Sequence, residues 1–338
     1  MLRRSLLAAS KSARIRSFVS TGRYTRDVVA RFVAGETSAD AIRVTERLRG
    51  DGLLVTLDHL GEDTTEPEHA AAVADEYIRL IEGLASAGLL GGGPAGGGPA
   101  DGGAAGAGGP GGTAASPATG AAEVSVKPTA VGLRLAANGA KTAAGHIARI
   151  CAAARGAGTT VTVDMEDHLG VEPTLRIVAD LRTEFADLGC VLQAYLRRTE
   201  RDCEQLAVPG SRVRLCKGAY RAPGDVAFSS RHEVDRSYVR CLRVLMAGPG
   251  YPMLATHDPR MIKIALAQAA LTGRPASSYE LQMLYGVRQA EQRRLAESGS
   301  AMRVYVPYGS DWYGYLVRRL AERPANLAFF LRALASRR

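Results

Sequence analysis

A closed barrel of eight parallel β-strands, each followed by a helix, is the α/β fold that this sequence predicts. Three observations predict it. Eight short apolar runs recur along the chain, helix-length periodic segments separate them, and each run ends on a polar side chain. Strands that alternate with helices pair in parallel through right-handed crossovers. Eight repeats favour closure, and polar groups gathered at the carboxyl ends of the strands describe a site on one face of a (β/α)8 TIM-type barrel. An open doubly wound sheet would carry a glycine-rich turn after its first strand. Leu57-Asp-His-Leu-Gly-Glu62 contains no GxGxxG.

Residues 1–48 read as an N-terminal helical segment, with Thr37 or Ser38 as the cap before 39–48. The start, with Arg3, Arg4 and Ser5, superficially resembles a transit peptide. It runs unbroken into the amphipathic pattern of Val28, Val29, Phe32 and Val33, so it reads as part of the fold. The first strand falls at 53–57 and a helix follows at 67–87. Residues 88–122 are almost wholly Gly, Ala and Pro, with Asp101 the only charged residue. Such a segment cannot bury enough apolar surface to offset its ordering entropy, so it reads as a disordered insertion in a surface connection. Alternation resumes after it, with strands at 123–127, 159–164, 190–195, 212–217, 252–256, 279–284 and 302–306. Helical periods occupy 172–188, 233–246 and 259–272 among others. The expected organisation is one barrel domain, 49–338, interrupted at 88–122 and preceded by the helical segment.

With 46% hydrophobic and 23% charged residues, the composition supports a large buried core. No run of about 18 uninterrupted apolar residues occurs, so no membrane-spanning helix is expected. A net charge of +9 would permit nucleic acid or an anionic membrane surface as a partner. The arginines are spread through the helices and no nucleic-acid motif is present, which leaves a weak membrane attraction. Five cysteines (151, 190, 203, 216 and 241) form no CxxC pair, and the odd number without a signal peptide points to a reducing, cytoplasmic compartment.

Polar residues at or beyond the strand ends are Asp58, Glu62, Lys127, Asp164, Gln193, Arg214, Lys217, Thr256, His257, Gln282 and Tyr305. Each alone has a plain explanation: Asp164 caps a helix, His257 is a satisfied loop histidine. As a set they are costly for a purely structural core, because buried polar groups need partners. The six histidines never occur as HxH or HExxH, so no metal is expected. Lys127 could form a Schiff base, but that needs a lowered pKa, and the nearby carboxylates Asp164 and Glu62 push the other way. Hydride chemistry on a bound cofactor fits better. Lys217-Gly218-Ala219 lets the backbone approach a pyrophosphate, with the ammonium as countercharge.

If the segment after Trp312 is helical, Tyr315, Arg318, Arg319 and Glu322 share one face, with Leu316, Val317 and Leu320 opposite. Two adjacent guanidiniums suit a carboxylate or a phosphate. On the helix alone, a solvated face with an ordinary Arg318–Glu322 pair is the competing reading.

Arg214-Leu-Cys-Lys-Gly-Ala-Tyr220 and Tyr315-Leu-Val-Arg-Arg-Leu-Ala-Glu-Arg-Pro-Ala-Asn326 are specific motifs, supported by Val124-Ser-Val-Lys127, Val163-Asp-Met-Glu166 and Ala255-Thr-His257. On these residues the chain resembles the proline dehydrogenase family, in its monofunctional, FAD-dependent bacterial form. The resemblance covers nearly the whole chain except the Gly/Ala/Pro insertion. It implies that FAD is held by Gln193, Lys217, Gly218, Ala219, Thr256 and His257, with the backbone around Val163 beside it. Arg214 would sit near flavin N5, where a cation favours the reduced flavin, and Asp164 would join Lys127 in the active-site charge network. Lys127, Arg318 and Arg319 would grip the substrate carboxylate, and Tyr220, Tyr305 and Tyr315 would wall the ring. Glu62 would pair with the clamp arginines, and Glu322 shares their face. The implied reaction takes L-proline to Δ1-pyrroline-5-carboxylate, with hydride passing to FAD and electrons to a quinone at the inner face of the membrane. It should quicken toward mildly alkaline pH, since the amine must be neutral. Two departures stand out: Pro128 follows Lys127 where the family more often has an apolar residue, and the insertion is unusually long. The rivals are a Schiff-base aldolase using Lys127 and a non-catalytic barrel that binds proline or a similar anion.

Overall fold

The computed structural model describes residues 29–91 and 120–316. Eight parallel strands form a closed barrel in sequence order: β1 (Leu54–His59), β2 (Ala122–Val126), β3 (Val161–Val163), β4 (Gly189–Gln193), β5 (Arg212–Cys216), β6 (Tyr251–Ala255), β7 (Glu280–Leu284) and β8 (Met302–Tyr308). Closure is direct, with Thr56 of β1 opposite both Glu123 of β2 and Tyr305 of β8. The helices are α1 (Ser38–Gly50), α2 (Pro67–Ser86), α3 (Gly139–Gly156), α4 (Val171–Leu181), α5 (Thr199–Leu206), α6 (Arg231–Ala247), α7 (Pro259–Leu271) and α8 (Gln289–Glu297). Thr37 caps α1 in a reciprocal capping box with Asp40.

Every strand expected from the sequence forms, within two residues at each end. The helix expected at 172–188 stops at Leu181. There Thr183 Oγ1 donates to the Asp180 carbonyl (2.6 Å), and Arg182 turns to bond the Leu188 carbonyl (2.8 Å) and Ser211 Oγ (2.9 Å). Side-chain bonds to the backbone compete with the helical ladder and end it. The predicted tail helix beyond residue 316, with Arg318, Arg319 and Glu322, lies outside the described residues, as do 1–28 and residues 92–119 of the predicted insertion. The insertion's expected ends at 88–91 and 120–122 are ordered instead: Leu90 and Ala121 are buried, Ala121 N donates to the Leu90 carbonyl (3.0 Å), and Ala122 opens β2.

The strands alternate, but with polar side chains toward the barrel axis and apolar ones toward the helices. Val124, Val126, Val213, Leu215, Leu281, Met283, Val304 and Val306 belong to the outer core, with Tyr77, Leu80, Ile147 and Leu242 from the helices. A strand's side-chain period of two then turns Glu123, Ser125, Arg212, Arg214, Glu280, Gln282, Arg303 and Tyr305 inward. The bonds agree: Arg212 of β5 pairs with Glu123 of β2, and those strands are not neighbours, so the contact crosses the interior.

These inward residues form a buried floor. Glu123 accepts from Arg212 and from Thr160 Oγ1 (2.9 Å), and Arg303 holds both oxygens of Glu280, at 2.8 and 3.0 Å. All four charged side chains are 0% exposed. Two cations and two carboxylates make the layer neutral overall. Burial alone would raise the Glu123 pKa, but the guanidiniums of Arg212, Arg303 and Arg214 hold it down at about 2.

A strap from the N-terminal side crosses the carboxyl end of the barrel. Ala34 N donates to the Pro307 carbonyl (2.9 Å), and Gly309 N to the Gly35 carbonyl (2.9 Å). Phe32 and Val33 pack with Leu60, Trp312, Tyr313, Tyr315 and Leu316 in a second apolar cluster. The strap passes so close to the loop after β7 that a Cβ on Gly286, whose φ is +74°, would lie 1.7 Å from the Arg31 carbonyl oxygen. Among the described residues no helix is long and apolar enough to cross a membrane.

Candidate active site

A cavity of about 920 Å³ opens over the carboxyl ends of the strands. Ligand sites commonly span roughly 300–1,000 Å³, so this one suits a group much larger than a single amino acid. Asp58, on β1, and Lys127, one residue past β2, meet there as a buried ion pair. Burial pushes the Asp58 carboxyl up to about 6, against the pull of Lys127. Burial would likewise depress Lys127, yet Asp58, Glu62 and Asp164 together hold its pKa above the ordinary lysine value. Lys127 therefore stays an ammonium, which removes the basis for a Schiff-base amine.

Asp164, just after β3, is the hub of the layer above the floor. Its Oδ1 accepts from Arg214 Nη1 (2.8 Å) and Ser125 Oγ (2.9 Å), and its Oδ2 from the Tyr305 hydroxyl (2.7 Å). The Arg214 guanidinium also lies over the Tyr305 ring, 5.3 Å from its centroid. Burial, and then the Asp164 charge, raise the Tyr305 phenol well above its usual pKa, so it remains a donor.

On the far wall, Gln193 Nε2 donates to the Glu166 carbonyl (2.7 Å). The Glu166 carboxylate accepts from Thr129 N (3.0 Å) and Thr129 Oγ1 (2.6 Å). Burial pushes the Glu166 carboxyl up to about 7, partly offset by those two bonds, so the wall gains charge as pH rises through neutrality. Lys217 bonds Asp235 and Asp258 (3.1 Å to the latter), and Arg260 reaches the same two carboxylates at 2.8 and 2.7 Å. The Lys217 ammonium is thus already balanced and is no free countercharge, which revises the sequence expectation. Its backbone is the better-placed part: Gly218 has φ +90°, and a Cβ there would lie 2.1 Å from the Tyr195 ring.

Gln193 Oε1, a buried acceptor on a cavity-lining residue, has no hydrogen-bond partner among the described residues, whereas Arg214 Nη2 lies 3.7 Å from Glu123 Oε1 in the floor. Buried polar groups are nearly always satisfied, so a polar ligand belongs in this cavity.

The family profile described as Proline dehydrogenase matches residues 41–332. This chain belongs to the proline dehydrogenase family. It is 35% identical over 334 residues to "Proline dehydrogenase 1" of Bacillus subtilis subsp. natto, covering 99% of both chains. It is 34% identical over 310 residues to "Proline dehydrogenase" of Deinococcus radiodurans, covering 91% of this chain and 90% of that one. The crystal structure of proline utilization A from Bdellovibrio bacteriovorus, inactivated by N-propargylglycine, superposes with a TM-score of 0.72 at 24% identity. That match covers 88% of this chain and 33% of the other, and at that identity it bears on the fold alone.

For a proline dehydrogenase chain, the described part of the expected site converges. Glu62, Lys127, Asp164, Tyr220, Tyr305 and Tyr315 line the cavity, as do Gln193, Arg214, Lys217, Gly218, Ala219, Thr256 and His257. His257 Nε2 accepts the Leu284 amide (2.9 Å), and Thr256 Oγ1 the Asp258 amide (3.1 Å). Val163 does not line the cavity: with Asp164 turned inward, the side chain before it points into the outer core. Arg318, Arg319 and Glu322 lie outside the described residues. Sequence reasoning gives no role to Glu166, Arg231 or Arg288, which also line the cavity. Glu166 stands in the quoted Val163–Glu166 motif, but nothing in its spacing signals burial.

Proposed function

We propose that this member of the proline dehydrogenase family oxidises L-proline to Δ1-pyrroline-5-carboxylate with FAD as cofactor and a quinone as final electron acceptor. The observation that carries the reading is the pairing of Arg214, Asp164 and Tyr305 with a protonated Lys127 around one cavity large enough for both cofactor and substrate. FAD, when bound, accepts the hydride that leaves the ring carbon next to nitrogen. The residues fit it. Gln193 Oε1 is an unsatisfied acceptor, and the backbone at Lys217, Gly218 and Ala219 allows close approach, with Thr256 and His257 beside it. Val163 would contribute backbone only.

Lys127, with Arg318 and Arg319, would bind the substrate carboxylate, and Glu62 and Glu322 would balance those arginines. Tyr220, Tyr305 and Tyr315 would exclude water from the ring. Asp164 and Arg214 would act together, the carboxylate fixing a guanidinium beside the reacting centre. The protein would be cytoplasmic, and the net charge of +9 supports peripheral docking on the anionic inner face of the membrane to meet its quinone. The barrel would form one domain, 49–338, with the helical segment 1–48 before it and the insertion, narrowed to 92–119, looped out. Direct pairing of β1 with β2 supports that arrangement.

The purified protein should be yellow, release free FAD on denaturation and bleach when proline is added. A colourless protein that cannot be reconstituted with FAD overturns the reading. Arg319→Lys should then lower kcat/KM for proline about tenfold while leaving flavin content unchanged, because lysine keeps the charge but loses the planar fork. Wild-type kcat/KM in that variant would remove the clamp.

A further inference from the structure

We infer that Gln282 is a positioning residue for proline oxidation: its side-chain amide ties the Arg214 guanidinium to the buried Glu280–Arg303 pair beneath it. The inference rests on the reading above that Arg214 faces the cofactor.

Arg214 is held by hydrogen bonds at two of its nitrogens. Ser125 Oγ (2.7 Å) and Asp164 Oδ1 (2.8 Å) both accept from Nη1. Nη2 lies 3.7 Å from Glu123 Oε1, so the two terminal nitrogens are held at one end of the guanidinium. Gln282 Oε1 accepts from Nε at 2.6 Å and fixes the other end. The other end of the amide, Nε2, donates to Glu280 Oε1. Glu280 itself cannot move, because Arg303 holds both its oxygens and the Tyr251 hydroxyl reaches Oε2 at 3.4 Å.

The amide cannot turn over either. Reversed, it would point its NH2 at a guanidinium and its carbonyl oxygen at a carboxylate. A cation above and an anion below therefore fix its orientation, and the chain Arg303, Glu280, Gln282, Arg214 runs from the barrel floor to the cavity wall. Gln282, Glu280, Arg303 and Arg214 are all buried. Strand pairing needs none of these side chains, since the ladder is built from backbone bonds. Gln282 lines the cavity beside Arg214, so loss of the amide is felt where the guanidinium meets the ligand.

The test is Gln282→Met, which keeps approximate volume and removes both bonds. In flavin-loaded protein, kcat should fall about tenfold while KM for proline changes less than about twofold, since Arg214 does not hold the substrate carboxylate. The reduction potential of the bound flavin should become more negative, because a guanidinium no longer held at Nε stabilises the reduced form less. A merely structural amide would lower the melting temperature and leave both the potential and kcat at wild-type values; that result overturns the inference. Gln282→Asn, one methylene too short to span both partners, is the variant to read if Gln282→Met does not fold, with the same two outcomes. Absence of flavin from the wild type would instead sink the cofactor reading, which keeps the two failures apart.

Discussion

Glu123→Gln is expected to lose about 3–5 kcal/mol of stability at neutral pH, or roughly 4–8 °C in melting temperature, with the fold otherwise unchanged. Glu123 is 0% exposed, and it faces Arg212 directly, with Arg214 at 3.7 Å and Arg303 at 3.8 Å. The neutral amide would leave three guanidiniums against the remaining carboxylates of the interior, with no water to screen them. The pH dependence has a definite sign. The folded-state pKa of about 2 lies below the ordinary 4.5, so the carboxylate's contribution is fully present above about 4.5 and is lost as pH falls toward 2. Denaturant titrations of both proteins should therefore converge across that acid window and remain parallel above it. A constant gap from pH 7 down to pH 2, or no gap at all, would show that the charge of Glu123 does not stabilise the floor.

Lys127→Met should cost about a hundredfold in kcat/KM for proline, and Asp58→Asn in the same chain should repair its stability without repairing its activity. Lys127 and Asp58 are each other's neutralising partner. Removing the ammonium leaves a buried carboxyl whose pKa burial already pushes up to about 6. That carboxyl would then take up a proton at neutral pH, which limits the damage to about 1–3 kcal/mol. A raised folded-state pKa costs stability as pH climbs from the ordinary 3.8 through the folded value, so the single variant should weaken relative to wild type as pH rises. With both substitutions in place neither position carries a charge to bury, and that slope should vanish. A double variant that oxidised proline at the wild-type rate would make Lys127 a structural counterion and nothing more.

The alternation of strands and helices and the polar strand ends were legible because both are local patterns. Each needs only a few neighbouring residues to be read, and Lys127, Asp164, Arg214 and Tyr305 all meet where those patterns put them. The floor was not legible. Glu123, Arg212, Glu280 and Arg303 sit at the starts of apolar runs, where a charged residue ordinarily marks a solvated strand end. A signal was present: Glu-Val-Ser-Val-Lys, Arg-Val-Arg-Leu and Glu-Leu-Gln-Met alternate strictly, and parallel strands covered by helices can place polar residues only on the axis side. Partners were still hidden, because pairing Arg212 with Glu123 requires knowing that β5 faces β2 across the interior. The balanced charge of Lys217 was hidden for the same reason, since Asp235 and Asp258 arrive from later in the chain.

The pairing of β1 with β8 has a consequence for how the polypeptide comes into being. During synthesis the first two strands emerge long before the last, and Glu123 on β2 must wait for cations carried by β5 and β8. A lone carboxylate is too costly to strip of water, so the growing sheet cannot dry its interior and stays open along one edge. Only when Arg303 and β8 arrive can the ring shut, and Pro307 of that strand and Gly309 just past it then meet the waiting strap at Ala34 and Gly35. Such long-range closure makes folding slow, and a ribosome stalled before β8 would display a wet, unpaired sheet edge, which is the form most open to proteases and to chaperones.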